Sequence, residues 1–163
     1  MKILRNEKGF TLLELLVAIT ILGAIAGVMS MSVITVMKVT PRSNNWAIAL
    51  RQVQNAGYWI SRDVQTSQNI TVGTGSTFLT LIVPQDPNPA NDKTVVYRFE
   101  NVSGEQWLTR TETPGGTIMI AEYISNNTTV TATDNRTLAF TIEATSGGTT
   151  VTRQYKAAQR VPP

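Results

Sequence analysis

The sequence predicts an α+β fold: a long N-terminal helix, apolar in its first half and amphipathic in its second, packed on an antiparallel β-sheet. Three observations predict it. From Phe10 to Met37 the residues are apolar or small, with Glu14 as the single charge. From about residue 43 to 67 apolar side chains recur every three or four positions. Beyond that, short β-branched or aromatic runs alternate with Gly, Pro, Asn and Asp turn material.

Taken in order, residues 1–9 read as a basic leader with Lys2, Arg5 and Lys8 against Glu7. Residues 10–39 form an apolar helix. At about 1.5 Å per residue it exceeds the roughly 20 residues that cross a bilayer core of about 30 Å. Pro41 cannot donate an amide hydrogen and restricts Thr40, so a break or bend is expected there. The next helix presents Trp46, Ala49, Leu50, Val53, Ala56, Gly57, Ile60 and Val64 as one apolar stripe, with Arg51, Gln54, Arg62 and Asp63 on other faces.

Six strands are expected to cover that stripe, at 78–83, 95–99, 106–110, 118–124, 137–144 and 150–155. In the fifth, Leu138, Phe140, Ile142 and Ala144 alternate with Thr137, Ala139, Thr141 and Glu143, the period of a half-buried strand. "VVYRFENVSGEQWLTRTE" reads as a hairpin turning within 101–105, and short connections of this kind require antiparallel pairing. The predicted organisation is a leader (1–9), an apolar helix (10–39) and one extracytoplasmic globular domain (40–163).

The 163 residues contain neither cysteine nor histidine. That excludes disulfides, thiolate or imidazole metal sites, and Ser-His or Cys-His nucleophiles. Asp and Glu are scattered without a recognisable pair, so neither an enzyme nor a cofactor is expected. The net charge of +3 comes mostly from the leader; the remainder has 11 basic and 10 acidic residues. No cluster of Lys and Arg with interleaved aromatics marks a nucleic-acid surface, and direct nucleic-acid binding is not expected.

Three readings fit the N-terminus. A secretory signal would use the A-x-A pattern Ala24-Ile25-Ala26, but apolar sequence continues to Met37. A plain single-pass anchor fits the length and the basic flank, and leaves Glu14 without a purpose. The third reading accounts for both Gly9 and Glu14. "KGFTLLELLVAITILG" (8–23) resembles the class III signal of type IV prepilins and pseudopilins, with a short basic leader ending in Gly9, then Phe10, then Glu14 in an apolar helix.

The resemblance implies cleavage between Gly9 and Phe10 by a membrane-embedded prepilin peptidase, which also methylates the new Phe10 amine. It implies that Glu14 meets the terminal amine of a neighbouring subunit and sets register during filament assembly. The implied partners are other pilin or pseudopilin subunits, the peptidase/methyltransferase, inner-membrane assembly machinery and, before assembly, membrane lipid. The implied location is the cytoplasmic membrane, single-pass with the C-terminal domain outside, and then an extracytoplasmic filament serving a pilus, secretion or DNA uptake. "WISRDVQTSQNI" (59–70) followed by the 95–112 hairpin is similar, less specifically, to J-like minor pilins and pseudopilins. The rival reading is a membrane-anchored extracytoplasmic binding domain that never polymerises.

Weaker signals lie in the outer domain. "DPNPAND" (86–92) offers Asp86, Asn88 and Asp92 as oxygen ligands of the kind calcium takes, but lacks the EF-hand pattern, and a rigid polar loop is expected instead. "GTGST" (73–77) lacks the lysine of a phosphate loop and reads as a turn. Asn69, Asn101, Asn126 and Asn127 begin N-x-S/T matches of the kind that a Thr-rich composition produces readily.

Overall fold

The computed structural model describes residues 9–134 and 136–160. Apart from Gly9, the basic leader lies outside the described residues. One helix, α1, runs from Leu12 to Thr66. The break expected at Pro41 is absent: the proline lies inside α1. A proline interior to a helix costs about 3 kcal/mol, and the unbroken ladders on either side outweigh that loss.

Internal contacts divide the chain between Pro41 and Arg42. In the first unit, the large apolar side chains of α1 from Leu12 to Val39 are all exposed. An apolar stretch of this kind is long enough to cross a membrane.

In the second unit, α1 buries Ala49, Val53, Ala56, Gly57, Ile60, Asp63 and Val64. Trp46, placed on the stripe by its spacing, is instead 48% exposed. Eight strands follow: β1 (Asn69–Val72), β2 (Thr77–Val83), β3 (Lys93–Val102), β4 (Glu105–Thr113), β5 (Thr117–Ala121), β6 (Thr129–Asp134), β7 (Thr137–Ser146) and β8 (Thr149–Ala158). They form two antiparallel sheets, one in the order β1-β2-β3-β4-β5 and one in the order β6-β7-β8. The bridge Ile124–Ala144 joins the segment after β5 to β7.

Two differences from the sequence reading have physical causes. The single sheet becomes two because β5 ends at Ala121, where the expected strand ran to Ile124; Tyr123 takes a positive φ of 59° there and turns the chain. β1 ("NITV") and β6 ("TVTATD") lack an apolar alternation of their own and exist by pairing with β2 and β7. The β3–β4 hairpin forms where expected. Ser103 (φ 55°) and Gly104 (φ 87°) make its two-residue loop, and positive φ at both positions matches the twist of the flanking strands.

The core lies between α1 and the sheets. Ile60, Val53 and Val64 meet Leu79, Leu81, Val95, Tyr97 and Leu108 from one sheet, and Leu138, Ile142 and Ala144 from the other. Each large apolar side chain buried in this way stabilises by about 1.5–3 kcal/mol. At Gly57 the helix has no side chain, and Tyr155 of β8 fills the space: a Cβ there would overlap the Tyr155 ring. That ring stacks on Phe140 at 5.2 Å, and its hydroxyl donates to the Val53 carbonyl at 3.0 Å.

Candidate functional site

The N-terminal segment begins with Gly9 and Phe10, both exposed and both preceding the helix. Phe10 is 83% exposed, and a side chain added at Gly9 would meet nothing within 4 Å. Among the described residues nothing sterically requires glycine at position 9.

Thr11 and Glu14 make a reciprocal pair at the start of α1. The Thr11 hydroxyl oxygen accepts from the Glu14 amide at 3.2 Å, and the Glu14 carboxylate accepts from the Thr11 amide at 3.4 Å. This is a capping box, in which a Thr-x-x-Glu sequence satisfies two backbone donors that the first helical turn leaves open. The carboxylate also sits where the helix dipole favours negative charge. The signal for it is "TLLE" (11–14), a Thr-x-x-Glu set inside an apolar run. The side chain of Glu14 is thus held back toward Thr11 and Phe10 rather than lying loose along the helix.

In the second unit the most concentrated polar chemistry is a buried network between α1 and the five-stranded sheet. Asp63, expected on another face than the apolar stripe, is 6% exposed. It accepts from the Tyr97 hydroxyl, from Arg110 Nε at 2.6 Å and from Arg110 Nη2 at 3.3 Å. Arg110 Nη1 continues to Glu112 at 2.9 Å, and Lys93 reaches the other Glu112 oxygen at 2.7 Å. The Arg110 guanidinium also lies 5.3 Å from the Trp59 ring centre.

Burial, together with the Asp63 charge and hydrogen bond, pushes the Tyr97 hydroxyl pKa far above its ordinary value. For Arg110, burial opposes the charge, but hydrogen bonds to Asp63 and Glu112 prevail and raise its pKa. Lys93 and then Arg110 hold the Glu112 carboxyl below the usual range. The network ties helix to sheet through charge-assisted bonds, and Asp63, Arg110 and Glu112 together line one wall of a surface cleft.

The 84–92 loop uses its oxygens internally. Asp86 Oδ1 accepts from the Asn88 amide at 2.8 Å, and Asp86 Oδ2 accepts from the Asn91 side chain at 2.7 Å. Asn88 caps the short 3₁₀ turn Pro89–Asn91 by accepting from the Ala90 amide. Asp92 accepts from Gln68. Of the three residues weighed as calcium ligands, Asp86 and Asn88 act together as turn formers, while the Asp92 carboxylate is engaged by Gln68. Among the described residues no group of three or more carboxylate side chains converges.

Comparison with curated proteins and with solved structures finds no match to this chain. Residues 4–30 match the family described as "Prokaryotic N-terminal methylation motif". The matched span contains Gly9, Phe10, Thr11 and Glu14. This N-terminal match supports the type IV pilin and pseudopilin family, whose precursors carry such a motif.

Proposed function

We propose that the protein is a structural subunit, in a minor rather than abundant role, of a type IV pilus-like or type II secretion pseudopilus filament. Prepilin peptidase cuts between Gly9 and Phe10 and methylates the Phe10 amine. The apolar half of α1 holds the protein in the cytoplasmic membrane with its C-terminal domain outside, and then enters the filament core. Glu14 pairs with the Phe10 amine of a neighbouring subunit and sets its register. An unpaired charge within the hydrocarbon layer costs several kcal/mol, so pairing favours association.

The observation that carries the reading is the methylation-motif match over residues 4–30, which frames an exposed Gly9–Phe10 bond immediately before a capped helix. The minor role is supported more softly, by the resemblance of the helix end and the 95–112 hairpin to J-like subunits. The domain division at 9 and 39–40 belongs to the same proposal. Mass spectrometry of the N-terminus tests it: the mature chain begins at Phe10, with a methyl group on the amine. A start at Gly27, or an intact leader in cells that contain the peptidase, overturns the reading.

A further inference from the structure

Resting on that filament reading, we propose that the strip of α1 between Arg51 and Arg62, together with the edge strand β5, is a docking surface for the β3–β4 hairpin of a second copy of this chain. Arg51, Asn55, Tyr58 and Arg62 are spaced to share one helical face. All four are exposed, and Tyr58 is 59% exposed. β5 ends the five-stranded sheet beside this strip and shows Ile118 and Met119 at 44% and 46% exposure. Large apolar side chains on an edge strand mark a contact surface when nothing covers them.

Helix and edge are tied into one surface. Ile120 has no Cα partner on β4 because the register shifts there, and its carbonyl accepts from Asn55 at 2.6 Å. The Glu122 amide donates to the Gln52 side chain. Tyr58 and Met119 line one cleft; Trp59, Arg62 and Ile118 line the next, of about 660 Å³. Apolar side chains thus lie between two cations. Arg51 and Arg62 take part in no ion pair among the described residues; Glu122 shares the Arg51 cleft, and Asp63 and Glu112, already paired with Arg110, share the Arg62 cleft.

The same chain carries the complement. In the β3–β4 register Glu100 faces Trp107 and Val102 faces Glu105, which sets these four on one face of the sheet. Trp107 and Val102 are half-buried, while Glu100 and Glu105 are exposed and unpaired by any cation among the described residues; Arg98 along the same face bridges neither. Glu100 accepts a hydrogen bond from the Thr109 hydroxyl. A Trp flanked by two acids therefore matches a Tyr-Met-Ile patch flanked by two arginines. The two surfaces share no residue, so the contact is head-to-tail, and in a minor subunit it joins a short run of neighbouring copies. Opposite charges steer the encounter and reject a wrong register.

The absence of cysteine in the chain makes the test clean. Full-length Met119→Cys and Ser103→Cys variants are co-expressed and oxidised mildly, in membranes and in sheared filaments. A crosslinked pair should form, while Met119→Cys with Thr152→Cys, on the other sheet, should not. Arg51→Glu with Arg62→Glu should reduce the crosslink about tenfold, and Glu100→Arg with Glu105→Arg in the hairpin-donating copy should restore it. Crosslinking no stronger than the Thr152 control, or no restoration by the reversed pair, overturns the proposal. The N-terminus and filament incorporation are read on the same samples. Phe10-initiated, incorporated protein without the crosslink sinks this contact and leaves the filament role standing. A different mature start sinks the filament role, and the membrane crosslink still decides the contact.

Discussion

At the scale of single residues, the outer domain depends most on Asp63. Its carboxylate is the shared acceptor for Tyr97 and Arg110, which lie 34 and 47 positions along the chain. Asp63→Ala leaves the Arg110 charge and the Tyr97 hydroxyl without that acceptor, and removing one partner of a buried pair costs about 3–5 kcal/mol. Denaturant unfolding of the purified protein should show a loss of that order, and a loss under ~1 kcal/mol would mean that water replaces Asp63 at little cost. The titrations have definite signs. Glu112 is held at a lower pKa in the folded state by Lys93 and Arg110, so its contribution is present above the unfolded value of about 4.3 and disappears as pH falls through the folded one. Glu112→Gln should flatten the acid limb of the stability curve. Tyr97 has a raised folded pKa, so its contribution holds below about pH 10 and is lost on the alkaline side. In Tyr97→Phe that alkaline loss should be absent. Little of this was legible beforehand. Asp63 follows Ala56 and Ile60 at helical spacing and so falls on the buried stripe, but a charged side chain reads as solvent-facing until its distant donors are known.

At the scale of elements, the hydrophobic stripe of α1 from Ala49 to Val64 and the alternation of β7 were legible because burial imposes a period on the sequence. The hairpin at 101–105 was legible because positive φ at two successive positions selects Gly and small polar residues. β1 and β6 were not, since an edge strand of Thr and Asn takes its structure from a neighbour rather than from its own pattern. The break weighed at Pro41 does not occur for a related reason: a local rule about one residue is overridden by the hydrogen-bond ladder of a 55-residue helix. The Thr11–Glu14 box is legible in the Thr-x-x-Glu spacing alone. The fit of Tyr155 over Gly57 is a tertiary fact that helix spacing could not supply. It yields an expected outcome. Gly57→Val forces the Tyr155 ring off Phe140 and away from the Val53 carbonyl, and should destabilise the full chain by about 1–3 kcal/mol. In a Tyr155→Ala background the same substitution should cost much less. Equal costs in both backgrounds, measured as a double-mutant cycle, would show that the contact does not set the helix-to-sheet distance.

For the whole molecule, the question is whether α1 is a passive anchor or an assembly element, and Glu14 separates the two. Its carboxylate is held by the Thr11 amide at the start of the helix, which leaves further lone pairs for a second donor. Glu14→Leu removes the charge and half of the capping box while making the helix more favourable in lipid. If the protein is an anchor, insertion is retained or strengthened and nothing else changes. If it is a filament subunit, insertion and cleavage at Gly9 survive, but recruitment fails because the Phe10 amine of a neighbour loses its partner. Loss of the cap alone would have the same apparent effect, so Thr11→Val serves as the control: it breaks the hydroxyl half of the box and leaves the carboxylate in place. The filament role therefore predicts normal processing in both variants, near-wild-type incorporation of Thr11→Val and at least about tenfold lower incorporation of Glu14→Leu in sheared filaments, as expected when an ionic partner is removed from a low-dielectric contact. Incorporation reduced equally in both variants would assign Glu14 to capping its own helix. Wild-type incorporation of Glu14→Leu would remove the register role, leaving the exposed apolar side chains of α1 as the remaining source of association.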